Sequence, residues 1–415
     1  MGRMKGSPPK TRGRANVNAA NELGALNPTD SNMATPTCQE PLLGTPWPSD
    51  TTHRRTTSLD GTWSFTPDPD DTFGHDSLPA AGRLSVAVPA SWNEQIPHLD
   101  GFLGPAWYER EVWAPMGLDP STQRLLLRFG SVNYEATVWF NGVLLGSHTG
   151  GHLPFELEVP ADTVGQGGGP LWRDDAPNRL TVRVDGRLAR TQVPPGGGWG
   201  AMAPNCHPNT SFDFYPYAGI QRSVSMLVRP RHGLEGLRLR TELPPSGGAD
   251  LHISAKVGDG VSYVTATLAN DEGSVTYGAD GTASNGTVNF RVHALAPQLW
   301  APGSPHLYTL CLTMHAIPSP QDSQSSDGAG SHKSRRVDAA GSSAPGPAVL
   351  DRYQQKVGLR TVAVVGDQLL LNGSPIVLRG FGRHEDFPLI GRGDCGAVLR
   401  RDHACLAWVG ANSYV

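Results

Sequence analysis

The pattern that most constrains this chain is a succession of short alternating segments joined by turn residues. Arg124–Phe129 and Glu135–Phe140 alternate apolar with polar side chains, and Asn141-Gly142 then hands the chain to Val143–Leu145. Asn-Gly between two apolar runs predicts a tight hairpin, because both residues tolerate positive φ. Phe155–Val159, Arg179–Val184 and Ser223–Val228 repeat the texture, with no helical period interrupting it. Strands at this rhythm predict an antiparallel sandwich of jelly-roll type over residues 56–230. The 50 glycines and 36 prolines among 415 residues, about a fifth of the chain against an ordinary share of roughly 12%, fit turns and loops and not long helices.

A second set of strands is expected at Leu237–Leu243, Leu251–Val257, Tyr263–Ala269, Thr287–His293 and Leu307–His315. About seven strands over 231–360 predict an immunoglobulin-like sandwich, without the Cys…Trp…Cys signature of antibody domains. Residues 318–348 interrupt it with a Ser/Gly/Pro/Ala stretch that cannot bury a core and is expected to be a disordered insert. Strand texture resumes at Tyr353–Arg360. From Thr361 the pattern changes. Val362–Val365 and Gln368–Leu371 read as strands, Asn372-Gly373 as a turn, and Ile376–Gly380 as an apolar strand. Ala397–Val409 reads as a helix with Val398, Cys405, Leu406 and Trp408 on a broad apolar face, and Asn412–Val415 starts another strand. Strand, loop, helix, strand opens a parallel sheet or a (β/α)8 barrel, so 361–415 is expected to be the start of one.

Charge and cysteine use narrow the functional classes. With 34 basic and 38 acidic residues, the net charge of −4 leaves no electrostatic footprint for nucleic acid or an anionic membrane. No apolar stretch reaches the ~18–20 residues of a membrane span, so a soluble protein is expected. Cys38, Cys206, Cys311, Cys395 and Cys405 are too widely spaced for a zinc site or a disulfide framework, and no metal or other cofactor is called for. Arg3, Lys5, Lys10, Arg12 and Arg14 precede the first acid, Glu22, with neither an amphipathic period nor an apolar signal core. Residues 1–55 are expected to be a disordered tail, and the compartment stays open. The sequons at Asn209, Asn285 and Asn372 matter only on a secretory route.

Several blocks carry a resemblance. They are Leu59–Phe65, Val88–Gln95, Trp107–Val112, Gly150–Phe155, Asp213–Ile220, Leu299–Pro302 and Leu307-Tyr308, then a dense stretch from Lys356 to Tyr414 that includes Gly380–Asp386 and Asp402-His403. Together they make the chain similar to the β-glucuronidase branch of glycoside hydrolase family two over residues 58–414, apart from the insert. The early blocks point to family two in general; Gly-Phe-Gly-Arg-His-Glu-Asp favours the glucuronidase branch over galactosidases and mannosidases. The resemblance implies a jelly-roll sugar-binding-like domain, an immunoglobulin-like domain and a catalytic barrel. It also implies retaining hydrolysis of β-D-glucuronosides by two glutamates about 5–5.5 Å apart, one a proton donor and one a nucleophile. The family carries these on barrel strands four and seven, beyond the part matched here. Where the family continues Arg-Thr-Ser-His-Tyr-Pro after Asn-Ser-Tyr, this chain has Val415. The expectation is a front end plus first barrel unit, with no catalytic residue of its own, inactive alone. Family members are homotetramers through the barrel domain.

Two substrate-binding positions follow from the resemblance: Asp213, before the Phe-x-x-Tyr-Ala-Gly element, and His384, after Gly-Phe-Gly-Arg. Pro216 departs from an otherwise aromatic and polar stretch and puts local shape near Asp213 in question. Read from the residues alone, Glu385-Asp386 are neighbours that point apart and so make a structural pair, and Asp402-His403 a solvated or interdomain one. Trp92, Trp107, Trp139 and Trp300 are expected in cores, whereas Trp199 in a Gly-rich loop is the better candidate for exposure. Cys395 and Cys405 have no partner that would make them nucleophiles. Three readings of function stay open: the hydrolase front end, a non-catalytic carbohydrate-binding or interaction protein of two sandwiches, and a full enzyme whose sequence is cut by a splice or frame error after Tyr414. Glycan affinity of a polypeptide ending near Arg360 supports the second, and transcript sequence across that codon decides the third.

Overall fold

The computed structural model describes residues 49–161, 171–189, 192–193, 215–270, 272–316 and 347–415. The expectations for residues 1–48, for nearly all of the 318–348 insert, and for Trp199, Asp213, Cys38 and Cys206 lie outside them. Ten strands build the first sandwich: β1 Arg55–Ser58, β2 Gly61–Pro67, β3 Leu84–Val88, β4 Pro105–Val112, β5 Gln123–Asn133, β6 Glu135–Phe140, β7 Val143–Thr149, β8 Phe155–Val159, β9 Asn178–Asp185 and β10 Gly219–Pro230. A six-stranded antiparallel sheet in the order β3-β2-β4-β9-β6-β7 faces a four-stranded one in the order β1-β10-β5-β8. Alternation decides which side chains meet between them. On β5, Leu125, Leu127 and Phe129 point inward to Phe155, Val182 and Val224, while Arg128 points outward to Glu156 on β8 at 2.9 Å. The Asn141-Gly142 turn takes φ of 47° and 82°, the left-handed pair that a two-residue hairpin demands.

Inside this rhythm lies a four-residue helix, α1 Trp92–Gln95, too short to leave a period in the sequence. Ser91 caps it by accepting from the Asn93 N–H, and Asn93 in turn donates to the carbonyls of Leu99, Asp100 and Phe102.

The second sandwich comprises β11 Leu234–Glu242, β12 Ala249–Val257, β13 Val261–Ala269, β14 Thr276–Thr282, β15 Thr287–Ala294, β16 Tyr308–Ala316 and β17 Val349–Val357. Sheets β11-β12-β15 and β14-β13-β16-β17 close on Leu251, Ile253, Val264, Leu268, Leu310 and Leu312. β14, with its Gly278, Asp280 and Gly281, has a composition that strands disfavour and was not expected; β13 pairs along its whole length.

One correction concerns the lead-in. Residues 49–55, expected within a disordered tail, are docked: Ser49 bridges to Gln354, and Arg54 is buried against Asp351 of β17. A carboxylate 297 residues away anchors this segment, so no local period announces it.

From Thr361 the chain forms β18 Val362–Val365, β19 Gln368–Leu371 and β20 Ser374–Pro375, then β21 Gly380–Phe381, α2 Gly396–Trp408 and β22 Ser413–Tyr414. β21 and β22 are parallel, with α2 as the crossover. The strand expected over 376–380 is Gly380–Phe381, because among the described residues it pairs with β22 over those two residues. α2 ends where Gly410 adopts φ 77° and donates to the Ala407 carbonyl while Ala411 donates to Leu406, a Schellman closure. The apolar face expected on α2 is not covered among the described residues: Trp408 is 87% exposed and Cys405 is exposed, with Val398 and Leu406 half-buried. Val377 and Leu378 are exposed as well. No helix among the described residues is long and apolar enough to cross a membrane.

Candidate functional site

His384 sits on the loop between β21 and α2, at the C-terminal end of a parallel strand, where barrel folds build their sites. It is exposed, and among the described residues no hydrogen bond involves its ring. Its neighbours are held instead. Arg383 bridges Glu385 and Asp402, each at 3.2 Å, and lies over the Phe387 ring. Hydrogen bonds from Arg401, offset by some desolvation and helped by Arg383, hold the Asp402 carboxyl below its ordinary range. Asp386 accepts a hydrogen bond from the Tyr217 hydroxyl at 2.5 Å. Glu385 and Asp386 therefore diverge, one toward Arg383 and one toward Tyr217, and make no acid/base pair. Asp402 is a structural anchor on α2, and the His403 ring lies 5.2 Å from that of Tyr414.

The loop is docked on the first sandwich by more than one bond. Ser91 N–H donates to the Ile390 carbonyl at 3.0 Å, and Asp394 N–H donates to the Gln221 carbonyl at 2.8 Å. Contact is close enough that only glycine fits. A Cβ on Gly391 would lie 2.8 Å from Ser91 Cβ and 2.9 Å from Tyr217 Cδ1, and one on Gly393 would lie 2.8 Å from Ala90 Cα. Gly391 also has φ 57°, which favours glycine on its own.

The sandwich side of this junction is polar and buried. Asn133 donates to the Tyr217 carbonyl at 2.8 Å. The Tyr134 hydroxyl and both ends of the Gln221 amide are buried with no hydrogen-bond partner among the described residues. Burial pushes the Tyr134 phenol well above its ordinary range, opposed by the Arg392 charge. Burial also lowers His152, reinforced by Arg392 and Arg222, so that it stays neutral below the usual imidazole range. Tyr217 is raised by burial first, then by its bond to Asp386 and the charges of Asp386 and Glu94. The junction therefore sets neutral phenol, imidazole and amide groups beside the carboxylates of Glu94 and Asp386.

Of the two positions expected to bind substrate, the structure describes His384 and not Asp213. The bond it does show joins Tyr217, four residues after Asp213 in the sequence, to Asp386, two after His384. Tyr215 packs against the Tyr217 ring at 4.6 Å and its hydroxyl donates to the Asp100 carbonyl, which is the local arrangement beside Pro216. Tyr217, Glu94 and Gln221 had no periodic signal; their trace in the sequence is that they fall within or beside the motif blocks 88–95 and 213–220. The tryptophans expected in cores divide, with Trp139 and Trp300 outside both hydrophobic cores. Trp92 and Trp107 are buried, Trp139 is half-buried and stacked on His75, and Trp300 is half-buried beneath Arg360.

Comparison with known proteins points to one family. Residues 234–327 match the family model "Glycosyl hydrolases family 2", and residues 362–415 match "Glycosyl hydrolases family 2, TIM barrel domain". The β-glucuronidase of Rattus norvegicus is 30% identical over 387 residues, covering 89% of this chain and 54% of the rat protein. That of Homo sapiens is 31% identical over 389 residues, with the same coverage of 89% and 54%. This chain is similar to glycosyl hydrolase family 2 over those two stretches and to β-glucuronidases over 89% of its length. It is mainly β, two sandwiches followed by a strand–helix–strand unit that matches the family's TIM barrel domain. The crystal structure of Ruminococcus gnavus β-glucuronidase superposes with a TM-score of 0.70 at 27% identity, covering 89% of this chain and 56% of that one. The same enzyme in complex with D-glucuronic acid gives 0.70 at 28% identity, over 89% and 57%. The chain spans about half the length of the curated relatives it matches.

Proposed function

We propose that these residues form the sandwiches and first barrel unit of a retaining β-glucuronidase, with His384 as a group that contacts the sugar. The carrying observation is the place of His384: exposed, at the C-terminal end of the first parallel strand, on a loop docked against the first sandwich. An imidazole there offers one donor and one acceptor to sugar hydroxyls. Asp213 is proposed to bind the same sugar, on the family resemblance alone. Hydrolysis needs a proton donor and an attacking carboxylate facing each other across the glycosidic bond. Around His384 the described carboxylates are committed elsewhere: Glu385 and Asp402 to Arg383, and Asp386 to Tyr217. Residues 1–415 by themselves are therefore proposed to bind but not to cleave.

A chromogenic β-D-glucuronide tests this in two arms. The 415-residue polypeptide alone gives no turnover above buffer, and the same polypeptide continued through a barrel bearing both glutamates cleaves the glucuronide in preference to the galactoside or mannoside. Turnover by the 415 residues that D-glucaro-1,5-lactone abolishes overturns the first statement; preference for another glycoside overturns the second.

A further inference from the structure

Tyr217 belongs to the first sandwich, yet its hydroxyl is bonded to the loop that carries His384. We propose that Tyr217, acting through Asp386, is a positioning residue for His384, so that the first sandwich takes part in setting where this imidazole stands. The inference rests on the proposal that His384 contacts the sugar, and it adds what holds His384 in place.

Among the described residues β21 is two residues long and pairs with β22, and His384 itself makes no hydrogen bond. Its position must come from the groups flanking it. On the near side Arg383 is fixed to Asp402 of α2. On the far side, two residues on, Asp386 is fixed to Tyr217 at 2.5 Å. Two residues of extended chain span at most about 7 Å, so pinning Asp386 restricts the backbone of His384 to small displacements. Tyr217 is a firm anchor. It is buried, its carbonyl accepts from Asn133, and its ring fills the space beside Gly391. Glu94 Oε1 also stands 3.1 Å from the Tyr217 oxygen. A phenol has one proton to give, and the shorter contact assigns it to Asp386; the raised phenol pKa keeps that proton in place.

The test uses the 415-residue chain and three variants, Tyr217→Phe, Asp386→Ala and the pair combined. In each, the His384 imidazole resonances, identified by their loss in His384→Gln, are followed by NMR together with amide exchange over 382–394. Removing the bond is expected to shift or broaden the His384 signals and speed exchange at 385–387 by ~10-fold, the equivalent of one net hydrogen bond. The double variant is expected to add nothing further. Unchanged His384 signals in both single variants overturn the proposal. Should Tyr217→Phe unfold the sandwich, Asp386→Ala, on an exposed loop residue, carries the test alone. Titration with D-glucuronic acid separates this from the parent reading. If His384→Gln leaves affinity unchanged, the sugar-contact reading fails; if it weakens binding while Tyr217→Phe and Asp386→Ala leave both binding and the His384 signals intact, the positioning role alone fails.

Discussion

Replacing Asp351 by alanine should weaken the second sandwich more than any other single polar change. Asp351 is fully buried and accepts from Arg54 Nε at 2.9 Å, from an Arg54 terminal nitrogen at 2.6 Å, and from the Leu234 N–H at 2.9 Å. It ties the lead-in to β1, the start of β11 and the edge strand β17 into one knot, tight enough that a Cβ on Gly233 would lie 2.4 Å from its oxygen. Removing it strands the Arg54 guanidinium in a site where its side chain is 5% exposed. Arg229 lies in the same field, pushed down to about 10 by burial and by the Arg54 charge, with Asp351 among the acids that oppose the shift. Breaking a buried pair from one side costs ~3–5 kcal/mol. For a sandwich of roughly 130 residues, at about 3–5 °C per kcal/mol, the loss lowers its midpoint by on the order of 10–20 °C. Scanning calorimetry, with amide exchange across β11 and β17 to assign the transition, measures it. The double change Arg54→Met with Asp351→Leu should recover most of the loss, because no unpaired charge remains. A shift below ~2 °C in Asp351→Ala, or a double variant as unstable as the single, would refute the reasoning.

Three further outcomes are expected. Burial holds His148, His152 and His315 below the ordinary imidazole range, so the unfolded chain takes up protons first as pH falls. Stability is accordingly full above pH ~6.5 and declines below it; denaturation midpoints at pH 7.5 and 5.5 check this, and changing all three to Gln should flatten the slope. Gly391→Ala, strained by φ 57° and blocked by Ser91 and Tyr217, should release the 386–394 loop at a cost of ~1–3 kcal/mol, seen as faster exchange there with the first sandwich unchanged. Limited proteolysis should cut within 361–415 before either sandwich, because Val364 on a short strand, Val377 and Leu378 on the segment between strands, and Trp408 on α2 all stand exposed. Equal resistance of that region and the sandwiches would count against this.

What could be read from the residues was whatever repeats locally. Alternation placed β5, β6, β8 and β9 to within a few residues, and Asn141-Gly142 placed a turn, since a strand face and a turn's φ depend on nearest neighbours. β14 was missed because its glycines carry no face and its register comes from β13. The strand over 376–380 was overestimated because apolar content does not say how many neighbours will pair with it.

The sequence by itself determined two sandwiches and a strand–helix–strand unit, along with the family resemblance and the motif that bears His384. Only the tertiary structure decided what holds these parts against one another. Arg54 meets Asp351 across 297 residues and Tyr217 meets Asp386 across 169. Such pairs obey no period, because the chain between them sets their distance only through the completed packing of every intervening strand.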